Sequence, residues 1–313
     1  MESNCNGSTS NNSRAGIVSF DCAPLRLSMN GVPLKGVLVG PDSAFIRNFL
    51  TNEEQLRLLQ SSDGWNWMDR NDSRMLYRGN AMTRTKKTMV NDLSRIPVYR
   101  YPGFQYASIQ AYEAFYQVPE VNVLVDRLNG GLKYSLGNDE EMNALGINHV
   151  IATRYEDGDD SIGFHSDKVE DIAKESLILI LSTGARRELH LRKVGEASVC
   201  FVVVMQPASL FVLGPQTNIQ YEHSIVPVGD ERYFQRKDVS ARLSLVLRNI
   251  STMMTCENVK EKIKKSEHSK EVRREKREAK REKEESDEDK DDVVNEYYQK
   301  KVPKIEDDVK AKI

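Results

Sequence analysis

Between Gly146 and Asn249 the chain settles into one repeated pattern, and that pattern limits the folds open to it more than any other feature. Seven short segments, Ile147 to Tyr155, Ser176 to Leu181, Glu188 to Arg192, Val199 to Met205, Ser209 to Leu213, Ile219 to Val226 and Ala241 to Leu247, are rich in Val, Ile, Leu and Phe. Gly, Pro, Asp or Ser separates each from the next, which is the signature of strands joined by turns. So many short strands predict a β-sandwich or a double-stranded barrel with helices packed outside it. The helices are expected earlier. In Phe45 to Leu50 an apolar approach runs into Thr51-Asn52-Glu53-Glu54, a capping-box spacing that opens a helix through Leu56, Leu58 and Leu59. A second helical stretch is expected from about Ser108 to Arg127, with Pro119 as a break point, while residues 61–106 read as short strands and long loops.

Charge sets the outer limits of the folded part. The 313 residues hold 45 basic and 47 acidic side chains, and residues 251–313 take 18 of each, so the tail is more than half charged and the body under a quarter. A segment of that composition cannot share the body's core. It divides into a basic block from Lys260 to Lys283, net about +6, and an acidic block from Glu284 to Asp292, net about −6. Glu and Lys or Arg recur at helix-compatible offsets without an apolar seam, so part of it is expected to be a solvated helix. The expected division is a largely disordered lead over 1–40, one domain over 41–250 and a charged, disordered or partly helical tail over 251–313. Cys5, Cys22, Cys200 and Cys256 are isolated from one another, which offers neither a disulfide framework nor a zinc site and favours a reducing interior compartment. No apolar run approaches the roughly 18 residues of a membrane helix, and the opening Met-Glu-Ser-Asn-Cys-Asn carries no basic and apolar leader. A soluble, unprocessed intracellular protein, nuclear or cytoplasmic and monomeric, with no membrane partner, is the expectation.

The chemistry is concentrated in His165-Ser166-Asp167 and in His223, 58 positions later. An H-x-D pair at a strand edge places an imidazole and a carboxylate beside one another, and a later strand can return a second imidazole. Two His and one carboxylate make the facial triad of non-haem Fe(II) oxygenases. Taken alone, the pair also suits an ordinary polar loop after Gly163. Two flanking features sharpen it. Thr153-Arg154-Tyr155 precedes it across the polar turn Glu156 to Asp160, and Arg242-Leu243-Ser244-Leu245-Val246-Leu247-Arg248 follows His223 on a strand pattern. In that strand Arg242, Ser244 and Arg248 share a parity and so a face. Two guanidiniums on an otherwise apolar strand call for anionic partners. A cosubstrate carboxylate and Asp167 are candidates, and a structural ion pair is the alternative.

With these motifs in this order, from about Phe45 to Asn249, the chain resembles the AlkB family of Fe(II)/2-oxoglutarate dioxygenases. The resemblance rests on Arg154-Tyr155, then Gly163-Phe164-His165-Ser166-Asp167, then Tyr221-Glu222-His223-Ser224, then Arg242-x-Ser244-Leu245-x-x-Arg248. It implies a double-stranded β-helix, or jelly-roll, core within a mostly β (α+β) fold. It implies Fe(II) held by His165, Asp167 and His223, and 2-oxoglutarate and O2 as cosubstrates. Arg242 would take a carboxylate of 2-oxoglutarate with a planar fork, and Tyr155, Thr153 and Ser244 would lie along the same cosubstrate. Arg248 would hold Asp167 from behind. The implied reaction converts 2-oxoglutarate to succinate and carbon dioxide and hydroxylates an N-linked methyl, which leaves as formaldehyde. Alkylated bases in DNA or RNA, single-stranded or flipped out of a duplex, are the implied substrates. Two positions depart from the family pattern. Thr153 stands where Asn is common, and Val169 stands where repair members often carry an acid, which keeps a protein side chain, or a weakly active binding module, as an alternative.

The resemblance also implies that the region over residues 61–106 forms a lid over the base. Arg74, Tyr77 and Arg78, with Arg84, Lys86, Lys87 and Tyr101, interleave cations with rings in a way that suits phosphate contact and stacking, although a solvated loop over a core of aromatics explains them equally. The remaining features read as structural: His190 as a strand histidine, His149 without partner spacing, Cys200 as core. Arg186-Arg187 suits an edge strand as well as a phosphate contact, and Arg273 to Arg277 suits a nuclear signal or a nucleic-acid contact diluted by Glu.

Overall fold

Strand alternation sorts the apolar residues onto two sides of one sheet. The structure, a computed structural model, describes residues 25–68, 84–137, 141–228 and 240–301, with side chains as far as Arg281. Its elements begin with β1 (Leu25–Met29), β2 (Val32–Pro33), β3 (Val37–Leu38), β4 (Ala44–Ile46) and α1 (Asn52–Ser62). Then come β5 (Thr85–Val90), β6 (Arg95–Pro97), β7 (Glu113–Ala114), α2 (Pro119–Gly131), β8 (Leu132–Leu136) and β9 (Asn143–Ala144). β10 (His149–Tyr155), β11 (Ile162–His165), β12 (Ile178–Gly184), β13 (Arg187–Lys193), β14 (Val199–Met205) and β15 (Ser209–Leu213) follow. Last are α3 (Pro215–Gln220), β16 (Tyr221–Ile225), β17 (Arg242–Arg248), β18 (Met253–Thr255) and α4 (Cys256–Lys301).

Eight strands form the main sheet in the order β3-β4-β15-β12-β17-β10-β5-β7, and four form a second sheet, β11-β16-β13-β14. On the main sheet Val150, Ala152, Leu179, Leu181, Leu243, Leu245 and Leu247 bury against Leu58 of α1 and Val121, Leu124, Val125 and Leu128 of α2. The residues of opposite parity, Tyr155, Ile178, Ile180, Phe211 and Leu213, bury against Leu189, Leu191, Met205 and Ile225 of the second sheet. Period-2 alternation therefore produces both the helix-covered outer face and the interior of the jelly roll. Each fully buried Leu or Val contributes on the order of 1.5–3 kcal/mol, as an upper estimate.

The helix expected at Thr51 forms as its capping box dictates: the Thr51 hydroxyl accepts from the Glu54 N–H at 3.1 Å and the Glu54 carboxylate accepts from the Thr51 N–H at 2.8 Å. The second expected helix is shorter at its start. Residues Tyr106–Ala111 and Phe115–Gln117 are short 3-10 helices of two turns and one, and α2 starts at Pro119. Proline begins this helix and does not break it, because its fixed φ suits the first helical position and the N–H it lacks would have no partner there.

Two expected boundaries are corrected. Residues 25–40 of the expected disordered lead form β1 to β3, with Leu25 and Leu27 in the core; β1 pairs with β8 along its whole length. Residues 1–24 lie outside the described ones. At the other end β18 pairs with β6 beyond the expected limit at 250, and Thr252 donates to Asp171 at 2.7 Å. The chain divides into two units, Met1–Val259 and Lys260–Ile313. The second unit is helical over Lys260–Lys301 and exposes nearly all of its described side chains. Among the described residues no helix is long and apolar enough to cross a membrane.

Candidate metal and cosubstrate site

β11 and β16 are neighbours, and their register sets His165 directly opposite His223. A register shift between Ile162 and His165 bends the strand there, which is how an irregular strand re-aims a side chain. The two rings lie 4.3 Å apart, centroid to centroid. Hydroxyls lace the strands around them: Ser224 donates to the Ile162 carbonyl at 2.8 Å and Ser166 to the Tyr221 carbonyl at 3.0 Å. His165 Nδ1 stands 2.9 Å from the Gly163 carbonyl, which as a donor turns Nε2 outward. Nε2 is 3.9 Å from Asp167 Oδ1. One donor atom each from His165, Asp167 and His223 falls within 4.8 Å of the others.

Asp167 follows β11 without strand neighbours of its own, and Asn218 holds it. The buried Asn218 amide accepts from the Asp167 N–H at 2.9 Å and donates to the Asp167 carbonyl at 2.8 Å. Asn218 sits in α3, whose start is fixed by Asp42. That carboxylate accepts from the N–H groups of Gln216 and Thr217, each at 2.8 Å, and from the Thr217 hydroxyl at 2.8 Å. The Ser43 hydroxyl accepts from the Gly214 N–H at 2.9 Å. Gly214 must be glycine, since a Cβ there would collide with the Asp42 carbonyl. The path Asp42, α3, Asn218, Asp167 was not visible in the sequence; the spacing Pro215-x-Thr217-Asn218 ahead of Tyr221 was its only trace.

Burial opposes ionisation of Asp167, yet its pKa is lowered to about 2, because Arg248, His223 and His165 stand around it. Arg248 donates to Oδ2 through Nη2 at 2.6 Å and Nε at 3.2 Å. Its guanidinium lies 4.3 Å over the ring of Tyr99, whose hydroxyl accepts from the Lys168 N–H at 3.0 Å. Burial, with the positive field of Arg248, depresses His223 to about 3, so its imidazole is neutral and ready to ligate at neutral pH.

Arg242 forms the second half of the site. It is fully buried, and its Nε donates to the Ser182 hydroxyl at 2.9 Å while Nη2 stands 3.3 Å from the Ser244 hydroxyl. Tyr155 lies directly across the strand pair from it, with the guanidinium 5.0 Å from its ring. Nη1 is buried and has no acceptor among the described residues. Thr153 pairs with Ser244, and Ser244 with Ser182, so hydroxyls line the same face. Burial pulls the Arg242 pKa downward, as expected of a cation without its anion. The shared face expected of Arg242, Ser244 and Arg248 is present, and all three are buried.

Among the described residues expected to contact phosphate, the two lysines are buried. Lys87 is buried and paired with Glu113, and Lys86 is buried with its amine on Tyr101. Both lie in β5, where Lys86 pairs with Thr153 and Lys87 with Ala152 of β10. Arg84 donates to the Ser161 carbonyl at 2.7 Å. Tyr101 belongs to a row of edge-packed rings with Phe104 and Tyr106. Arg74, Tyr77 and Arg78 lie outside the described residues. Arg187 is likewise no edge residue: β13 is flanked by β16 and β14, and the fully buried Arg187 holds the carbonyls of Asp157 and Gly158 in the turn between β10 and β11. His190 is structural, with Nε2 at 2.8 Å from Glu188. Cys200 is half-buried, outside the core where it was expected.

Two imidazoles and one carboxylate suit Fe(II) with coordination positions to spare. A buried guanidinium with an unanswered N–H beside a tyrosine suits a carboxylate of a small dianion. The residues present therefore fit both an iron centre and its cosubstrate. The chain belongs to the 2OG-Fe(II) oxygenase superfamily, whose family model matches residues 42–248. That family uses Fe(II), 2-oxoglutarate and O2. Within it, the chain is similar to the DNA oxidative demethylase ALKBH2 of Mus musculus, 31% identical over 117 residues that cover 35% of this chain and 46% of that protein. The chain thus spans about half the length of the curated relative it matches. It is also similar to the solved structure of OsALKBH1, at 14% identity and a TM-score of 0.43, over 68% of this chain and all of that one.

Proposed function

We propose that this chain oxidises N-linked methyl groups on nucleic-acid bases that are single-stranded or flipped out, with consumption of 2-oxoglutarate. The observation that carries the reading is the buried Arg242, whose Nη1 lacks an acceptor among the described residues, on the face that also holds Tyr155, Ser244 and Arg248. A buried cation kept unpaired is costly unless a ligand completes it, and a carboxylate of 2-oxoglutarate does so with a planar fork. His165, Asp167 and His223 hold the iron, and Arg248 and Asn218 keep Asp167 in place from its side chain and its backbone. Bound iron would let O2 oxidise 2-oxoglutarate to succinate and carbon dioxide and the methyl to a hydroxymethyl, one oxygen atom going to each product. The chain's part is to present two imidazoles and one carboxylate, to fix the cosubstrate and to place the methyl.

The nucleic-acid substrate rests on the similarity to a DNA oxidative demethylase. Single-stranded DNA and RNA carrying 1-methyladenine or 3-methylcytosine test it, read as loss of the methyl and release of formaldehyde. Demethylation of either supports the proposal. Turnover restricted to methylated peptides would overturn it and leave the iron chemistry in place.

A further inference from the structure

The long helix α4 carries a charge arrangement that its sequence conceals. Read linearly, the block from Lys265 to Arg281 alternates cations and Glu, and the mixture looks like a diluted basic segment. The helix separates the two signs. At ~100° per residue, Glu267, Glu271, Glu275 and Glu278 fall within about 80° of one another, and Arg273, Lys276, Arg277 and Lys280 fall within about 100° centred on the opposite side. All eight side chains are exposed. Arg274, at the border, reaches Glu278 at 3.6 Å. The stretch therefore has one acidic stripe and one basic face. Its apolar residues there are only Val272 and Ala279, too few for the apolar face by which a helix lies in a lipid surface.

We propose that the basic face of α4 binds the phosphate backbone of single-stranded nucleic acid, as a contact separate from the iron centre and indifferent to base sequence. This deepens the functional reading above, on which it rests for the nature of the partner. Arg273 to Lys280 rise about 10 Å along the axis, a length matched to successive phosphates on one strand. Within residues 265–281 the Glu residues lie on the other side of the helix, which turns the strand toward one side of it. Each phosphate neutralised releases counterions, so binding falls steeply with salt.

The test uses the full chain and unmethylated poly(dT), so that binding is read apart from turnover. The variant Arg273→Gln/Lys276→Gln/Arg277→Gln/Lys280→Gln keeps good helix formers. A second variant, Glu275→Lys/Lys276→Glu/Arg277→Glu/Glu278→Arg, keeps the composition and net charge but mixes the faces. Both are expected to bind poly(dT) at least tenfold more weakly at low salt. The first should also lower the salt slope by about 3, four contacts at ~0.7 each. Release of succinate with a methylated mononucleoside should be unchanged. Equal binding by wild type and the first variant would overturn the proposal, as would a second variant that binds like wild type, since composition and not arrangement would then be responsible. So would a shift from dimer to monomer in either variant without loss of poly(dT) binding, because the stripe would then serve a second copy of the chain. If poly(dT) binding drops as expected while no methylated nucleic acid is demethylated, the helix contact stands and the demethylase reading fails.

Discussion

Arg248 takes hold of one oxygen of Asp167 and leaves the other to the imidazoles: Nη2 and Nε reach Oδ2 at 2.6 and 3.2 Å, and Oδ1 stands 3.9 Å from His165 Nε2. The carboxylate is thereby ionised and oriented before any metal arrives. Arg248→Lys keeps the charge but loses the two-point grip, and a metal-binding loss of about 10- to 100-fold is expected. Arg248→Met leaves Asp167 buried without its partner and should also destabilise the fold, by about 3–5 kcal/mol. Co(II) or Fe(II) titration together with thermal unfolding checks both. Wild-type metal affinity in Arg248→Lys would show that the grip is not what orients Asp167.

Arg242 makes a different prediction, because its fold-internal partners are two serine hydroxyls and no carboxylate. Arg242→Met should abolish measurable 2-oxoglutarate binding yet leave the stability of the cosubstrate-free protein equal or higher, since an unpaired buried charge is replaced by an apolar chain of similar length. Arg242→Lys should raise the 2-oxoglutarate requirement by at least tenfold. Calorimetric titration of 2-oxoglutarate and a melting curve separate the two effects. A large loss of stability in Arg242→Met would mark the residue as structural.

Asn218 answers both backbone groups of Asp167. Asn218→Ala strands a buried N–H and a buried carbonyl, at about 1–3 kcal/mol for each group left unmet, and it frees the one carboxylate ligand to wander. Metal affinity should fall by about tenfold, and Asn218→Asp, which accepts but cannot donate, should not restore it. Restoration by Asn218→Asp would show that the bond to the Asp167 carbonyl is dispensable.

His149 gives the pH dependence. It is fully buried between the rings of Tyr99 and Tyr112, neither ring nitrogen has a partner among the described residues, and burial pushes its pKa down from 6.5 to about 3. The unfolded chain takes up a proton near pH 6.5 that the folded one refuses until about pH 3. Stability is therefore lost as pH falls through this window, by about 1.4 kcal/mol per pH unit for the one group. His149→Phe fits the same ring cage and removes that term, so the variant should gain on wild type as pH falls from 6.5 toward 4. His223, also lowered to about 3, loses stability over the same window in both proteins, and Asp167 acts in the same direction lower down, below its ordinary value of 3.8, because its folded pKa is about 2. Urea unfolding of metal-free protein across this range checks the difference. Parallel curves for the two proteins would mean that His149 is already protonated in the fold.

Strand pairing and the His165, Asp167 and His223 cluster were legible because each leaves a local mark: alternation marked seven of the nine strands after Gly146, missing the short β11 and β18, and the parity of Arg242, Ser244 and Arg248 put them on one face before any register was known. What stayed hidden depends on packing between distant segments. Asp42 and Asn218 meet through α3 across 170 or more residues of chain, and nothing near either residue announces it. Lys86 and Lys87 look like a surface pair in sequence, and only the neighbours of β5 show that both are covered. Arg187 looks terminal until β13 is seen to lie inside its sheet. The Glu residues of α4 look like dilution until the helical turn gathers them on one side.

The most direct test of the iron and cosubstrate site is succinate release by purified protein supplied with Fe(II), ascorbate, 2-oxoglutarate and methylated single-stranded DNA, compared with His165→Ala and Asp167→Ala. Succinate and formaldehyde in equal amounts from wild type, and background from both variants, is the expected result. Succinate release by wild type no greater than by His165→Ala, with this substrate or with methylated RNA or peptide, would contradict it.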